Sequence, residues 1–330
     1  MRIRLSKFAG PAVLSLILSL AAGCGGGVAP RAGTSSPTPH ASASTAAQIT
    51  PDVDVALRTG DAPQNPYVAY GSLWVAGHHS QDVLRLDLAT GKVLARINTG
   101  AAEPGAITAG HGLVWVTHYG AGHLLVGIDP HSNTIVRRTK LPGESCCQPA
   151  VLGSTVWVAA GSEDAPAIVG VNARTGRIVR TLSGMDGPVV VNGQLWASMN
   201  GDTVIVNPRD GNVTTTAAQG TVLWQSPSVA GLAWGMQDGA AVGMTSDGTV
   251  ARTVIAPGGL KLSYTEGMAI TSGQTVWVVS EISLWRIDSG AKTAVLAAKL
   301  PRDVHSITGD GKGGVWMALF FNSRMQHFPA

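Results

Sequence analysis

Charge and cysteine are what this 330-residue sequence is short of. Charged residues make up 13% of it, about half of the roughly 25% usual in soluble domains. Long amphipathic helices need a charged outer face, so the composition argues against a helical bundle. Three cysteines are too few for a disulfide-dense scaffold. The sequence holds no HExxH, no paired CxxC, no Gly-x-Ser-x-Gly and no P-loop pattern, so the zincin, zinc-ribbon, hydrolase-elbow and nucleotide-loop chemistries have no foothold. What it has in quantity is apolar residues, 45% of the total, and glycine, 42 residues. The first excludes disorder over the whole length, and high glycine beside many Val and Thr points to short strands joined by tight turns.

The amino terminus reads as an export signal. Arg2, Arg4 and Lys7 precede an uncharged apolar stretch from Phe8 to Ala22, too short to span a hydrocarbon core of ~30 Å comfortably. It ends in Leu20-Ala21-Ala22-Gly23-Cys24, small residues leading into a cysteine. That arrangement resembles a bacterial lipoprotein signal, which implies cleavage before Cys24, acylation of its thiol and residence at the outer face of the cytoplasmic membrane. An ordinary secretory signal cleaved nearby and an uncleaved anchor are the other readings, and both also place the remaining chain outside the cytoplasm.

Losing residues 1–23 removes three positive charges and no negative one, leaving twenty basic against twenty acidic residues. A neutral chain carries no electrostatic footprint for nucleic acid. Residues 24–50 are rich in Gly, Ala, Ser, Thr and Pro and nearly uncharged, the composition of a flexible tether. Residues 51–330 are then the folded part.

Seven of the nine tryptophans recur at one spacing. Trp74, Trp115, Trp157, Trp196, Trp234, Trp277 and Trp316 are separated by 41, 42, 39, 38, 43 and 39 residues. Each follows a small apolar residue and precedes Val, Ala, Gly or Met. After each comes a short apolar run, most often ending in an acid or amide (Val83-Leu84-Arg85-Leu86-Asp87, Val169-Gly170-Val171-Asn172), and in several units a turn such as Ala89-Thr90-Gly91. Glycine supplies the positive φ that such turns need. Four strands in about 40 residues is the pattern of a β-propeller blade, and 280 residues accommodate seven. The tryptophans recur in every unit, as packing residues between blades would, whereas a site occurs once. The last unit stops at Ala330 without a fourth strand, while Val53 to Gly60 matches the fourth-strand pattern. The N-terminal strand is therefore expected to complete the seventh blade. The fold class is all-β, a seven-bladed propeller of four-stranded blades.

The Gly-x-x-Trp-Val-Ala and Asp-x-x-Thr-Gly phrases resemble those of bacterial extracytoplasmic YVTN/NHL-type propellers, including relatives of streptogramin lyase. The resemblance covers residues 51–330 and concerns architecture. Two activities are open: a non-enzymatic module that binds a small molecule, peptide or envelope protein, which is the favoured reading, and, implied by the resemblance, a lyase or hydrolase with a His/Glu set and Mg²⁺. In the second, His305 would be the general base and Glu281 the metal-side partner.

Breaks in the repeat at the loops leading into inner strands and leaving second strands mark candidate chemistry. These are His78, His79, Glu103, His118, Asp186, Glu266, Glu281 and His305, residue types suited to proton transfer or divalent-metal binding; solvated loop positions are the bland alternative. Cys146 and Cys147 are adjacent and, with Cys24 lipidated, the only thiols left. A vicinal disulfide, a soft-metal pair and idle thiols are all open readings; a bridge would suit a stiff platform beneath a ligand, and the pair also prompts a redox or quinone reading.

Overall fold

The computed structural model describes residues 48–119, 122–145, 147–162, 164–216, 222–223, 229–260 and 267–330. Cys24, Cys146 and Glu266, together with the signal and most of the tether, lie outside these. Among the described residues all regular structure is β: seven four-stranded antiparallel sheets, each a meander in chain order except the last. Blades one to six cover residues 63–98, 104–140, 150–183, 186–215, 222–254 and 267–299.

Blade seven is built from both ends of the chain. Its inner three strands are Val304–Gly309, Val315–Leu319 and Arg324–Phe328, and its outermost is Val53–Ala56. The register pairs Val53 with His327, Val55 with Met325 and Ala56 with Arg324. This is the closure expected from the sequence. The alternation Val53-Asp54-Val55-Ala56-Leu57 turns the valines and the leucine towards the core and Asp54 outward, where it accepts from Arg324 and Gln326. The chain joins the ring slightly before residue 51, since the Ile49 amide donates to the Ala297 carbonyl of blade six.

The seven tryptophans are 0–3% exposed. Trp74 packs with Ile107, Val114 and Val126 of blade two, and Trp115 with Val156, Val158 and Val169 of blade three. The same relation repeats round the ring, ending with Trp316 against Leu73, Val75 and Leu84 of blade one. Each indole thus fills the wedge between its own blade and the next, the place where twisted sheets splay apart and need the largest side chain. In the turns, Asp87 Oδ1 accepts from the amides of Ala89 and Thr90 and from the Thr90 hydroxyl, which gives the Asp-x-x-Thr-Gly phrase its physical content: an Asx turn capped by a glycine at φ 68°.

Candidate functional site

One face carries the segments leading into the inner strands and the hairpins between second and third strands. On this upper face the blades are unequal. Those hairpins are two residues long in blades four, five and six, at Asn200-Gly201, Asp238-Gly239 and Glu281-Ile282. They are four, five, seven and four residues long in blades one, two, three and seven, four neighbours round the ring. Asn200, Asp238 and Glu281 hold positive φ in minimal turns, a turn requirement rather than a site requirement. The longer loops therefore define the sector where side chains can gather.

The inner strands contribute too. Where they begin, blades one, two, four and seven have bulges, with register shifts between Gln64 and Tyr67, Pro104 and Ile107, Asp186 and Val189, and Val304 and Ser306. A bulge re-aims the side chains beside it. Asn65 and Glu103 occupy the left-handed region there, with φ of 44° and 58°. The Asn65 amide donates to Ser306 Oγ at 2.7 Å, and its side chain donates to the Tyr119 hydroxyl at 3.1 Å, so blades seven, one and two are joined through one residue. Gly105 leaves room for this: a Cβ there would lie 2.5 Å from the Tyr119 ring.

Over that sector four rings converge. His305 stacks on Phe320 with centroids 5.0 Å apart and planes at 24°. His79 meets Phe320 at 5.4 Å, and His78 at 5.8 Å. The two neighbouring imidazoles are 5.1 Å apart, and Tyr119 closes the far side of His78 at 6.1 Å. Phe321, 83% exposed, stands edge-on to Phe320 at 5.2 Å.

The protonation states follow from the surroundings. The Gln64 amide group donates to the Pro104 carbonyl and to His78 Nδ1 at 2.9 Å, so neutral His78 carries its proton on Nε2. Burial holds the His78 pKa below its ordinary 6.5, a charge on His79 would lower it further, and Glu103 opposes both. His305 is lowered by burial and then by His78; its outer edge is open while Phe320 strips water from its face. Burial pushes the Tyr119 phenol up to about 12, against the Asn65 hydrogen bond. At neutral pH His78, His305 and Tyr119 are uncharged rings, with Glu103 at their margin.

Below the face runs a central cavity of about 360 Å³ lined by inner strands, through Tyr67, Thr108, Val190, Ile270 and Thr308, and by Gln148 just ahead of the inner strand of blade three. No charged side chain lines it among the described residues. That volume and lining suit an uncharged small molecule.

The other sequence candidates separate from this cluster. Glu281 is exposed in its two-residue turn on blade six. Asp186 caps the Gly187 amide at 2.7 Å and lies 3.7 Å from the sulfur of Cys147, which is disulfide-bonded. Among the described residues no three of His, Cys, Asp and Glu converge as a metal-ligand set, so the described donors do not fit the Mg²⁺ centre that the lyase resemblance implies.

His118 is 0% exposed, inside the protein rather than at the mouth. Its Nδ1 donates to the Leu124 carbonyl at 3.3 Å and its Nε2 accepts from Thr99 Oγ1 at 2.9 Å, so one ring nitrogen is used within blade two and the other towards the segment that precedes it. Burial pulls its pKa down to about 4, opposed by the bond to the Leu124 carbonyl and assisted to a smaller extent by Arg138. A base with a depressed folded pKa favours folding above its unfolded pKa, and that stability is lost as pH falls from 6.5 through 4. The difference corresponds to about 3 kcal/mol. Urea melts at pH 7 and pH 4 should show wild type losing about that much more than His118→Gln, which has no proton to take up; equal losses would contradict the assignment.

Phe320, Phe321 and Tyr119 were not singled out in the sequence, where titratable residues drew attention. The available signal was an adjacent Phe pair, half of the chain's four phenylalanines, at a hairpin position where blades four and five carry Asn-Gly and Asp-Gly.

The chain is thus a seven-bladed β-propeller with an asymmetric, ring-lined upper face. Its residues 79–233 match a family profile described as outer membrane protein assembly factor BamB. Virginiamycin B lyase from Staphylococcus aureus shares the fold at TM-score 0.65 and 16% identity, over 84% of this chain and 98% of that one. A catalytically inactive form of that lyase, in a structure with quinupristin, matches at TM-score 0.65 and 15% identity over the same shares. BamB from Moraxella catarrhalis matches at TM-score 0.52 and 12% identity, over 86% of this chain and all of that one. No curated protein sequence matches the chain. At these identities the likeness is one of architecture.

Proposed function

We propose that the protein is a binding module of the bacterial cell envelope, carried outside the cytoplasm on a lipid at Cys24 and a tether over residues 24–50. Its upper face, over blades seven, one and two, takes an aromatic group of a small molecule, peptide or partner protein. The observation that carries this reading is Phe321, 83% exposed beside a Phe320 ring already shared by three imidazoles. A large exposed phenyl costs solubility unless something covers it, and the surrounding rings offer edge and face contacts for another aromatic. The BamB-like profile match supports a protein-binding, envelope-associated role. Cys147, beside Asp186, extends the face towards blades three and four.

A photo-crosslinking residue at position 321 in the full chain, expressed in cells, is expected to give discrete adducts. The same residue at Lys312, on the opposite face, should give none. Equal labelling from both positions, or none from 321, would overturn the proposal. The membrane address is checked by mass spectrometry of the mature amino terminus, which should begin at an acylated Cys24.

A second reading, a lyase, is favoured by one feature: His305 sits at the mouth with a pKa held down by burial, hence as a neutral ring able to accept a proton. Quinupristin incubated with the protein and Mg²⁺ separates the two. Turnover abolished by His305→Ala would favour the lyase, and unchanged quinupristin would dismiss it.

A further inference from the structure

Three imidazoles share one phenyl ring, and few opposite charges face them. The loop after the second strand of blade one brings His78 and His79. The segment leading into blade two brings Glu103, whose charge reaches His78. The end of the second strand of blade two brings Tyr119, a phenol neutral at physiological pH. The segment leading into blade seven brings Arg302, Asp303 and His305, and the Asp303 carboxylate is taken by the amide and side chain of Asn322. The inner strand of blade one adds the neutral Gln64 and Asn65. Among the described residues, two carboxylates, Glu103 and the hydrogen-bonded Asp303, together with the Arg302 guanidinium, therefore stand beside as many as three imidazolium charges within 6 Å of Phe320.

We propose that this cluster is a proton gate on the binding face, holding an uncharged aromatic group against Phe320 and Phe321 while its imidazoles are neutral and expelling it when His78 and His305 are protonated. The proposal rests on the reading of the face as a binding site. Each imidazolium would have to keep its water or lose hydration under a ligand, and burial of charge without a partner is unfavourable. A ligand that covers the rings must therefore displace protons, and linkage makes its affinity fall with pH. The attraction of one imidazolium for a phenyl face works the other way, but here the charges crowd a single ring and repel one another. The environment acts in the same sense: burial lowers both His78 and His305, and His78 lowers His305.

The test uses the full-length protein in detergent and N-acetyl-L-phenylalaninamide, a probe without charge at any pH used, read by saturation-transfer NMR at pH 7.5 and 5.0. Wild type is expected to bind several-fold more weakly at pH 5.0, because each proton that the ligand displaces subtracts affinity as the pH falls. In the double variant His78→Gln/His305→Gln the ratio of the two affinities should collapse towards one, whatever its absolute affinity. Independently of any ligand, the His305 ring should titrate below 6.5 by NMR, with a midpoint that rises in His78→Gln. Binding that Phe321→Ala removes but that does not change with pH overturns the gate and leaves the binding face standing. A His305 midpoint unmoved by His78→Gln also overturns the gate. Absence of probe binding at both pH values overturns the aromatic ligand class and the gate together.

Discussion

Deleting residues 51–60 is expected to abolish the single cooperative unfolding transition of the propeller, whereas deleting residues 25–45 should leave the melt unchanged. The removed segment contains the outermost strand of blade seven, four residue pairs of ladder with Arg324–Phe328. Val53 and Leu57 leave the cluster that holds Trp316 against blade one. Two polar links go with them, Asp54 to Arg324 at 2.8 Å and Asp52 to His327 at 2.6 Å. His327 also reaches Asp310 at 3.2 Å, in the hairpin joining the first two strands of blade seven, so the loss spreads beyond one strand. In a closed ring the wedge between blades seven and one is otherwise held by side-chain packing and a few hydrogen bonds such as that from the Asn65 amide to Ser306 Oγ. The expected cost, about 5 kcal/mol or more, approaches the entire stability of an ordinary domain. The bared Arg324–Phe328 edge would also template association between copies. Circular dichroism melts and light scattering on both deletions check this; a deletion of 51–60 that melts like the full chain would show that the ring does not depend on its closing strand.

Asp61→Ala should destabilise by about 3 kcal/mol, the lower end of what breaking a buried ion pair costs. Asp61 is 0% exposed. Arg96 grips it with both terminal nitrogens, at 3.0 and 2.8 Å, and the Arg58 amide adds a third bond at 3.0 Å. These bonds fasten the turn that carries the chain from blade seven into blade one to the outer strand of blade one. Removing the carboxylate leaves the Arg58 amide and the guanidinium without their partner. The side chain of Arg96 is 24% exposed and Asp82 lies 3.8 Å away, which lets the cation relax and keeps the loss from the upper end of the range. A double-mutant cycle in urea is the measurement: Asp61→Ala/Arg96→Ala should cost clearly less than the two single changes added together. Additive losses would mean that the pair contributes nothing as a pair.

The candidate site was legible in part, and the reason lies in which residues were weighed. His78, His79 and His305 stood out as titratable breaks in a repeat, and the ring brings them together. His118 had the same appearance in the sequence, one position beyond its own repeat, yet it points inward to Thr99 and Leu124. Whether the last residue of a strand faces the mouth or the interior depends on the pleat and on where the strand ends, and a shift of one position reverses it. Glu281 also stood out as an acid in a loop, but a two-residue hairpin on blade six makes it a turn residue. The aromatic half of the site, Phe320, Phe321 and Tyr119, was passed over because phenyl rings carry no chemistry until something polar is packed around them.

The order of residues was sufficient for the blade number, the strand boundaries near each tryptophan and the closure of the ring. Those features rest on local rules, alternation along a strand, glycine and aspartate at turns, and one large ring per wedge, each repeated seven times so that errors average out. The meeting of His78 and His79 with Phe320 from the far end of the chain was decided by the tertiary structure. It requires blades one and seven to be neighbours, bulges to turn the loop residues over the mouth, and burial to hold down the pKa values of His78 and His305. None of these is a property of a short stretch of chain, because hydration and proximity are set by what the closed ring places around each side chain.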